Sequence, residues 1–346
     1  MPEPDAILIP SSYLAAFLDH LVDDPGERES LLAGTGIDPE SLCGGPAMLP
    51  LPRVLHALRK IDGLAAPGWH IEPALSLEAA HHGPLGIAIV TAATVGQAMD
   101  NLVRFESIRA PWALVSRQHH PDRLVLRILP TVTLDPTDAL LTEILLIALA
   151  SIVARVVGRS DDLQVVFPER ERGYQPLLEA KLELQCRFEG RHHELSLPAD
   201  QLSRPCLLAD PELNESALRR CEALLARATG GNRLAARIRQ DLINAGGRSP
   251  GIGNMAARYN QSPRSLTRHL ARDGTSYRAL VEDVRRSIAR DLLRHSDRPI
   301  ASIANRLGYS DPANFGRAFR RWFGVSPGQV RRGEQPIDPA NPEGRE

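Results

Sequence analysis

Residues 298–332 read RPIASIANRLGYSDPANFGRAFRRWFGVSPGQVRR. Their spacing predicts a short helix, a tight turn, a second helix and the start of a third. Ile300, Ile303, Ala304 and Leu307 recur at helical spacing and mark one buried face. Gly308 follows, where a helix end calls for a left-handed residue that glycine adopts at little cost. Ser310 and Asp311 stand where a side-chain oxygen accepts the free N–H groups of the next helix. That helix turns Phe315, Ala318, Phe319, Trp322 and Phe323 inward and shows Asn314, Arg317, Arg320 and Arg321 outside. Gly324 stops it, and Ser326-Pro327 opens another short helix. A short helix, a tight turn and a second helix with an arginine face is the geometry that enters a DNA major groove.

The same pattern occurs once more, upstream. Residues 254–259, NMAARY, correspond to the first helix, and Asn260 stands where Gly308 stands later; asparagine is among the residues that best tolerate positive φ. Ser262-Pro263 supplies a cap and a proline at the first helical position, and RSLTRHLAR over 264–272 is the second helix. Ala256 corresponds to Ala304 at an offset of 48 residues, and Leu266, Arg268 and Leu270 to Phe315, Arg317 and Phe319 at 49, so the later copy has one more residue in its turn. Between the copies, Tyr277, Leu280, Val281, Val284, Ile288, Leu292 and Leu293 form one stripe, with Thr275 or Ser276 as cap. A helix of about 20 residues is about 30 Å long. That is close to the ~34 Å between successive major-groove faces, so one chain can set both second helices on one side of a duplex.

The net charge of −1 over 346 residues hides a split. From residue 231 onward there are 21 Arg and 11 acidic residues, a net of +10, which leaves −11 on the remainder. A basic domain on an acidic body is an electrostatic footprint of nucleic-acid binding. The chain has only two lysines, Lys60 and Lys181, so an arginine-rich surface alone also fits a biased composition; the repeated motif decides for DNA.

The order and spacing of Ile303-Ala304, Leu307-Gly308-Tyr309-Ser310-Asp311, Phe315, Arg317-Ala318-Phe319, Trp322-Phe323-Gly324, Ser326-Pro327 and Arg331 resemble the signature of the AraC/XylS family of bacterial transcription regulators. The resemblance implies that Arg264, Ser265, Thr267, Arg268 and His269 line the outer face of the first recognition helix. Pro312, Ala313, Asn314, Arg317 and Arg321 are their counterparts on the second. Arg268 falls on the family's contact position, where arginine takes a guanine edge or a phosphate. Ala313 replaces the longer polar residue of some relatives, which leaves apolar contact or none there. The resemblance further implies a bacterial cytoplasmic regulator that binds double-stranded promoter DNA, contacts RNA polymerase, forms a homodimer and answers to a small-molecule effector. One alternative is a first domain that only dimerises or meets a protein partner; a more distant one is an enzyme with an appended DNA-binding module.

The N-terminal part resembles, more loosely, the sensor domain of a large AraC subfamily through Gly83–Gly86 in the pattern G-P-L-G, then Thr94, Gly96, Ala98 and Met99. Helices are expected over 12–23, 51–64, 95–105 (capped by Thr94), 135 or 137 to 158, 174–184 and 214–228, with a short helix and a turn over 25–42 and a tight turn at 83–86. Residues 112–117 and 123–128 read as a hairpin around His119-His120-Pro121-Asp122, 163–167 as a buried strand, and 186–188 with 194–197 as a second hairpin around Glu189-Gly190. The expected fold is an α+β N-terminal sensor domain plus an all-α C-terminal domain of two helix-turn-helix units joined by a long central helix. Residues 1–205 are the sensing and dimerisation domain, 206–231 a helical linker, 232–334 the DNA-binding domain, and 335–346 a disordered, polar, Pro-rich tail. One mainly apolar cavity is expected in the first domain, lined by Trp69, His81, His82, Arg104 and Trp112. Arg104 is the expected grip for an anionic group, since a guanidinium holds a carboxylate through two N–H bonds.

Other chemistries lack a signature. The longest apolar segment, Ala139–Val157, is interrupted by Thr142, Glu143, Ser151 and Arg155, and the start MPEPDAILIP lacks the regions of a signal peptide. Cys43, Cys186, Cys206 and Cys221 have no metal-ligand spacing and read as reduced thiols. The pairs His119-His120 and His192-His193 have neither i, i+4 spacing nor a nearby Cys, so no metal site is expected. No G-x-S-x-G, P-loop or G-x-G-x-x-G motif is present, and no cofactor is expected.

Overall fold

The computed structural model describes residues 7–43, 47–132, 139–158, 163–168, 173–228, 233–272, 274–295 and 298–332. They fall into two compact units that divide between residues 225 and 226. The cap expected at Asp135 or Thr137 and the tail at 335–346 lie outside the described residues.

The first unit begins with β1 (Leu8–Pro10), α1 (Ser11–Leu21), α2 (Pro25–Leu32), α3 (Glu40–Cys43), β2 (Met48–Pro50, antiparallel to β1) and α4 (Leu51–Asp62). It continues through α5 (Ile71–Ser76), α6 (Gly83–Val90), α7 (Val95–Phe105), β3 (Ala113–His119), β4 (Arg123–Pro130) and α8 (Ala139–Val157). β5 (Gln164–Val166), α9 (Gln175–Leu182), β6 (Gln185–Arg187), β7 (His193–Pro198) and α10 (Pro211–Ala228) complete it. A mixed five-stranded sheet runs in the order β3-β4-β7-β5-β6; only β5 and β6 are parallel.

α8 is apolar nearly all round and is long enough to cross a membrane, yet 83% of its most apolar window is buried inside this unit. A helix without a polar face must be enclosed. α4, α5, α6 and α7 pack on it from one side, and α9, β4 and β7 from the other. Its acidic residue, Glu143, is satisfied inside: Tyr174 donates to Oε1, and His70 Nε2 lies 3.1 Å from the same atom. Burial works to raise the Glu143 carboxyl, but the hydrogen bond and charge of His70 and the bond from Tyr174 outweigh it and hold the group below its ordinary value.

The structure departs from the expected elements in three places. The segment 83–86 is the first turn of α6, since Pro84 needs no hydrogen-bond acceptor there. Gly86 is required by a close approach: a Cβ would stand 2.0 Å from the Ala79 carbonyl oxygen. The second hairpin does not form, because β5 lies between β6 and β7; Val165 is fully buried, and a central strand pairs on both edges. The helix expected as a linker, α10, is largely part of the first unit. Ala217, Cys221 and Leu225 join its core, and the Asn214 side chain donates to Ala88 O (2.8 Å) and Thr91 Oγ1 (3.2 Å). The short strands β1 and β2 and the helix α5 carry no period long enough to read.

The second unit is helical: α11 (Arg233–Asn244), α12 (Ile252–Arg258), α13 (Pro263–Arg272), α14 (Tyr277–His295), α15 (Ile300–Arg306), α16 (Pro312–Phe323) and α17 (Pro327–Arg331). α12 packs on α13 and α15 on α16, while α14 meets α11, α15 and α17. Asn260 (φ 53°) and Gly308 (φ 81°) take the left-handed conformation in the turns. Caps are made by Ser262 Oγ on Ser265 N–H (3.1 Å), Ser276 Oγ on Ala279 N–H (3.2 Å) and Asp311 on Ala313 N–H (2.9 Å). Leu280, Ile288, Trp322 and Phe323 are buried. Trp322 Nε1–H donates to Glu282 of α14 at 2.7 Å, so this ring both fills the core and ties α16 to α14. A fragment beginning at residue 226 is expected to unfold as one cooperative unit in a urea titration. Trp322→Ala is expected to lower its stability by about 3–5 kcal/mol; a loss under about 1 kcal/mol contradicts this packing.

Candidate nucleic-acid interface and ligand cavity

The outer faces of α13 and α16 carry the residues expected to meet DNA. Arg264, Thr267 and Arg268 are exposed, and Ser265 and His269 half-buried. Thr267 donates to Pro263 O (2.9 Å), and His269 Nδ1 lies 3.0 Å from Gln261 Oε1. On α16, Pro312, Ala313, Asn314, Arg317 and Arg321 are exposed. Arg317 donates to Asn314 Oδ1 at 2.6 Å. Arg321 donates to Glu282 at 2.5 Å, and that bond and burial act in opposite senses on a Glu282 carboxyl that ends below its ordinary value. Among the described residues no carboxylate lies within ion-pairing distance of Arg264, Arg268 or Arg317, so none of these three guanidinium groups is neutralised by an acidic side chain.

In the first unit an apolar cavity of about 100 Å³ lies between α1, α4, α6, α7, β3 and α8. Leu14, Phe17, Leu58, Leu102, Ile144 and Ala148 are among its walls, and Trp112 and His82, both expected there, line it. The other three expected residues do not. Trp69 packs edge-on against Phe17 from outside and donates to Asp62 (2.9 Å). The His81 ring turns back to accept from Glu78 N–H (3.0 Å). Arg104 is the clearest correction: it pairs with Glu222 at 2.8 Å, and its side chain is 48% exposed. The reason is helical phase. Ala98, Met99, Leu102 and Phe105 define the buried face of α7, and position 104 falls opposite.

Three polar cavity residues escaped the sequence reading: Tyr13, Glu106 and Arg109. After α7, a 3-10 turn at Glu106–Ile108 turns the chain inward and brings Arg109 to the cavity. Arg109 Nε donates to Tyr13 Oη (3.1 Å) and Nη2 to His81 O (2.6 Å), with its guanidinium over the Tyr13 ring. Tyr13 Oη also lies 2.9 Å from His82 Nδ1. Burial, then the charges of Arg109 and His81, lower His82 to about 4, so its ring is neutral near pH 7. Burial raises the Tyr13 hydroxyl. It also pushes Glu106 up to about 8 against three backbone hydrogen bonds, and its Oε2 has no partner. Among the described residues no group of three or more His, Cys, Asp or Glu is placed to hold a metal ion.

Glu106 gives a signed prediction. Its folded value lies above the ordinary 4.5, so the unfolded chain ionises first as pH rises. Stability attributable to this group is therefore complete below about 4.5 and falls by about 1.4 kcal/mol per pH unit until about 8. Glu106→Gln removes that loss. Urea titrations are expected to show little effect at pH 4 and a gain on the order of 3 kcal/mol at pH 7; a gain independent of pH contradicts the assignment.

Similarity to known proteins agrees with both units. The family profile described as "Arabinose-binding domain of AraC transcription regulator, N-term" matches residues 26–206, and "Helix-turn-helix domain" matches 255–333. The Ornithine utilization regulator of Pseudomonas aeruginosa is 30% identical over 334 residues, covering 94% of this chain and 97% of that protein. The HTH-type transcriptional regulator VqsM of the same species is 35% identical over 159 residues, covering 45% of this chain and 48% of that one. The crystal structure of the transcriptional regulator CdpR, also from Pseudomonas aeruginosa, is 24% identical, covers 90% of this chain and 99% of that chain, and has a TM-score of 0.42. These relatives are regulators and not enzymes. The chain belongs to the AraC family of DNA-binding transcription regulators.

Proposed function

We propose that the second unit reads promoter DNA through two helix-turn-helix units, α12–α13 and α15–α16, set apart by the central helix α14. α13 and α16 are the recognition helices in this reading. The observation that carries it is the guanidinium groups of Arg264, Arg268 and Arg317, none paired with a carboxylate among the described residues, on the two faces that also bear Ser265, Thr267 and Asn314, side chains suited to base edges and phosphates. α14, at 19 residues, is about 28 Å long, near the spacing of successive major-groove faces.

The first unit acts as a sensor for a small molecule. The cavity supports this over a domain that only dimerises, because its apolar walls and few converging polar groups are the usual make-up of a ligand pocket. The related regulator's name places it in ornithine utilization; the apolar walls here favour a less polar ligand. The regulator works on its promoter as a homodimer in the cytoplasm and contacts RNA polymerase, roles drawn from the family. Exposed Leu207, Leu208 and Leu213 are apolar surface suited to self-association.

Footprinting on a selected operator tests the reading. Arg268→Ala is expected to change which half of the site is protected; uniform weakening over all operator variants reduces Arg268 to a phosphate contact. On a non-specific duplex, about six neutralised phosphates per chain give a slope near −5 in log K against log salt. Arg317→Ala is expected to make it shallower by about 1. Arg321→Ala is expected to change it less, since Glu282 already shares that charge. Affinity that is indifferent to salt contradicts the basic unit as the DNA reader.

A further inference from the structure

Arg109 poses an electrostatic question that DNA binding does not answer. Its guanidinium borders an apolar cavity, and its partners are a hydroxyl and a carbonyl, with the Ser12 hydroxyl at 3.5 Å. Among the described residues no carboxylate lies within ion-pairing distance of it. Glu106 lines the same cavity but does not pair with it, and its buried Oε2 has no partner. Arg109 is half-buried, so its charge keeps access to water; what it lacks among the described residues is an anionic partner, which a ligand carboxylate can supply. The held pose, with Nε and Nη2 fixed by Tyr13 and His81, pre-orients the group and leaves Nη1 to donate to a carboxylate.

We propose that this cavity binds a short aliphatic carboxylate, its hydrocarbon chain among Leu14, Phe17, Ile144 and Ala148 and its carboxylate on Arg109. This names the ligand class of the sensor and rests on the sensing reading above. Size narrows the class. A cavity of about 150 Å³ holds the six carbons of benzene, so about 100 Å³ suits roughly four carbons, the hydrocarbon part of butanoate or pentanoate with the carboxylate at the rim on Arg109. Glu106 fits the assignment, because burial keeps it neutral near pH 7 and it offers no negative charge against the ligand.

The full chain is titrated with butanoate, pentanoate, hexanoate and octanoate, and with pentanol and pentylamine as uncharged and cationic counterparts of pentanoate. Tryptophan fluorescence reports binding, since Trp112 lines the cavity, and thermal denaturation gives a second readout. Saturable binding is expected, tightest at four to five carbons, with pentanol and pentylamine weaker by about tenfold or more. Arg109→Gln is expected to erase the preference for carboxylate over alcohol. Arg109→Lys, which keeps the charge but loses the fork, is expected to keep the preference at reduced affinity. Circular dichroism checks that each variant is folded, and the wild-type ladder stands without them. No carboxylate binding, equal binding of pentanol or pentylamine, or an undiminished preference in folded Arg109→Gln overturns the proposal. Retention of the unliganded chain on a DNA duplex is measured in parallel. DNA binding without carboxylate binding refutes the ligand class and leaves the DNA-reading assignment intact; carboxylate binding without DNA binding does the reverse.

Discussion

The first unit depends on one constraint: α8 has no face that water can occupy. Nineteen residues with only Glu143 and Arg155 charged cannot lie on a surface, so helices close over one side and the sheet over the other. Glu143 shows how strict this is. Its carboxylate is held by a histidine and a tyrosine that reach it from elsewhere in the sequence, because a buried charge without partners is far more costly than one with them. The cavity is where the enclosing layer stops short of filling its own interior. Packing is otherwise dense enough that Gly86 has no room for a methyl group.

Legibility in the sequence followed periodicity. Long stretches with one clear period, such as α4, α7, α14 and α16, could be read because one buried stripe determines the element. The paired turns of the second unit were legible from Asn260 and Gly308, whose left-handed backbone follows from residue type. Strand neighbours were not. The segment β5, with three residues, carries no information about which strands flank it, and its insertion between β6 and β7 is a long-range choice.

The cavity was legible as a kind of place and illegible in its chemistry. Trp112 and His82 were found because apolar or paired aromatic residues stand out in any window. Arg104 is expected there for the chemistry of its guanidinium, but helical phase puts it on the wet side. Arg109 could not be phased at all, since it follows a 3-10 turn where no period applies. Charge in a short irregular segment between Phe105 and Trp112, both buried, was the only available signal.

The absence of lysine from the second unit has a chemical consequence. Lys60 and Lys181 are the chain's only two lysines, and both belong to the first unit. Every basic side chain on α13 and α16 other than His269 is therefore a guanidinium and not an amine. Acylation, which silences lysine-rich surfaces by capping their amines, finds no side-chain amine on these faces. Amine-directed reagents would label side chains of the first unit and leave those of the second untouched, so occupancy of the two units can be followed separately on the intact chain.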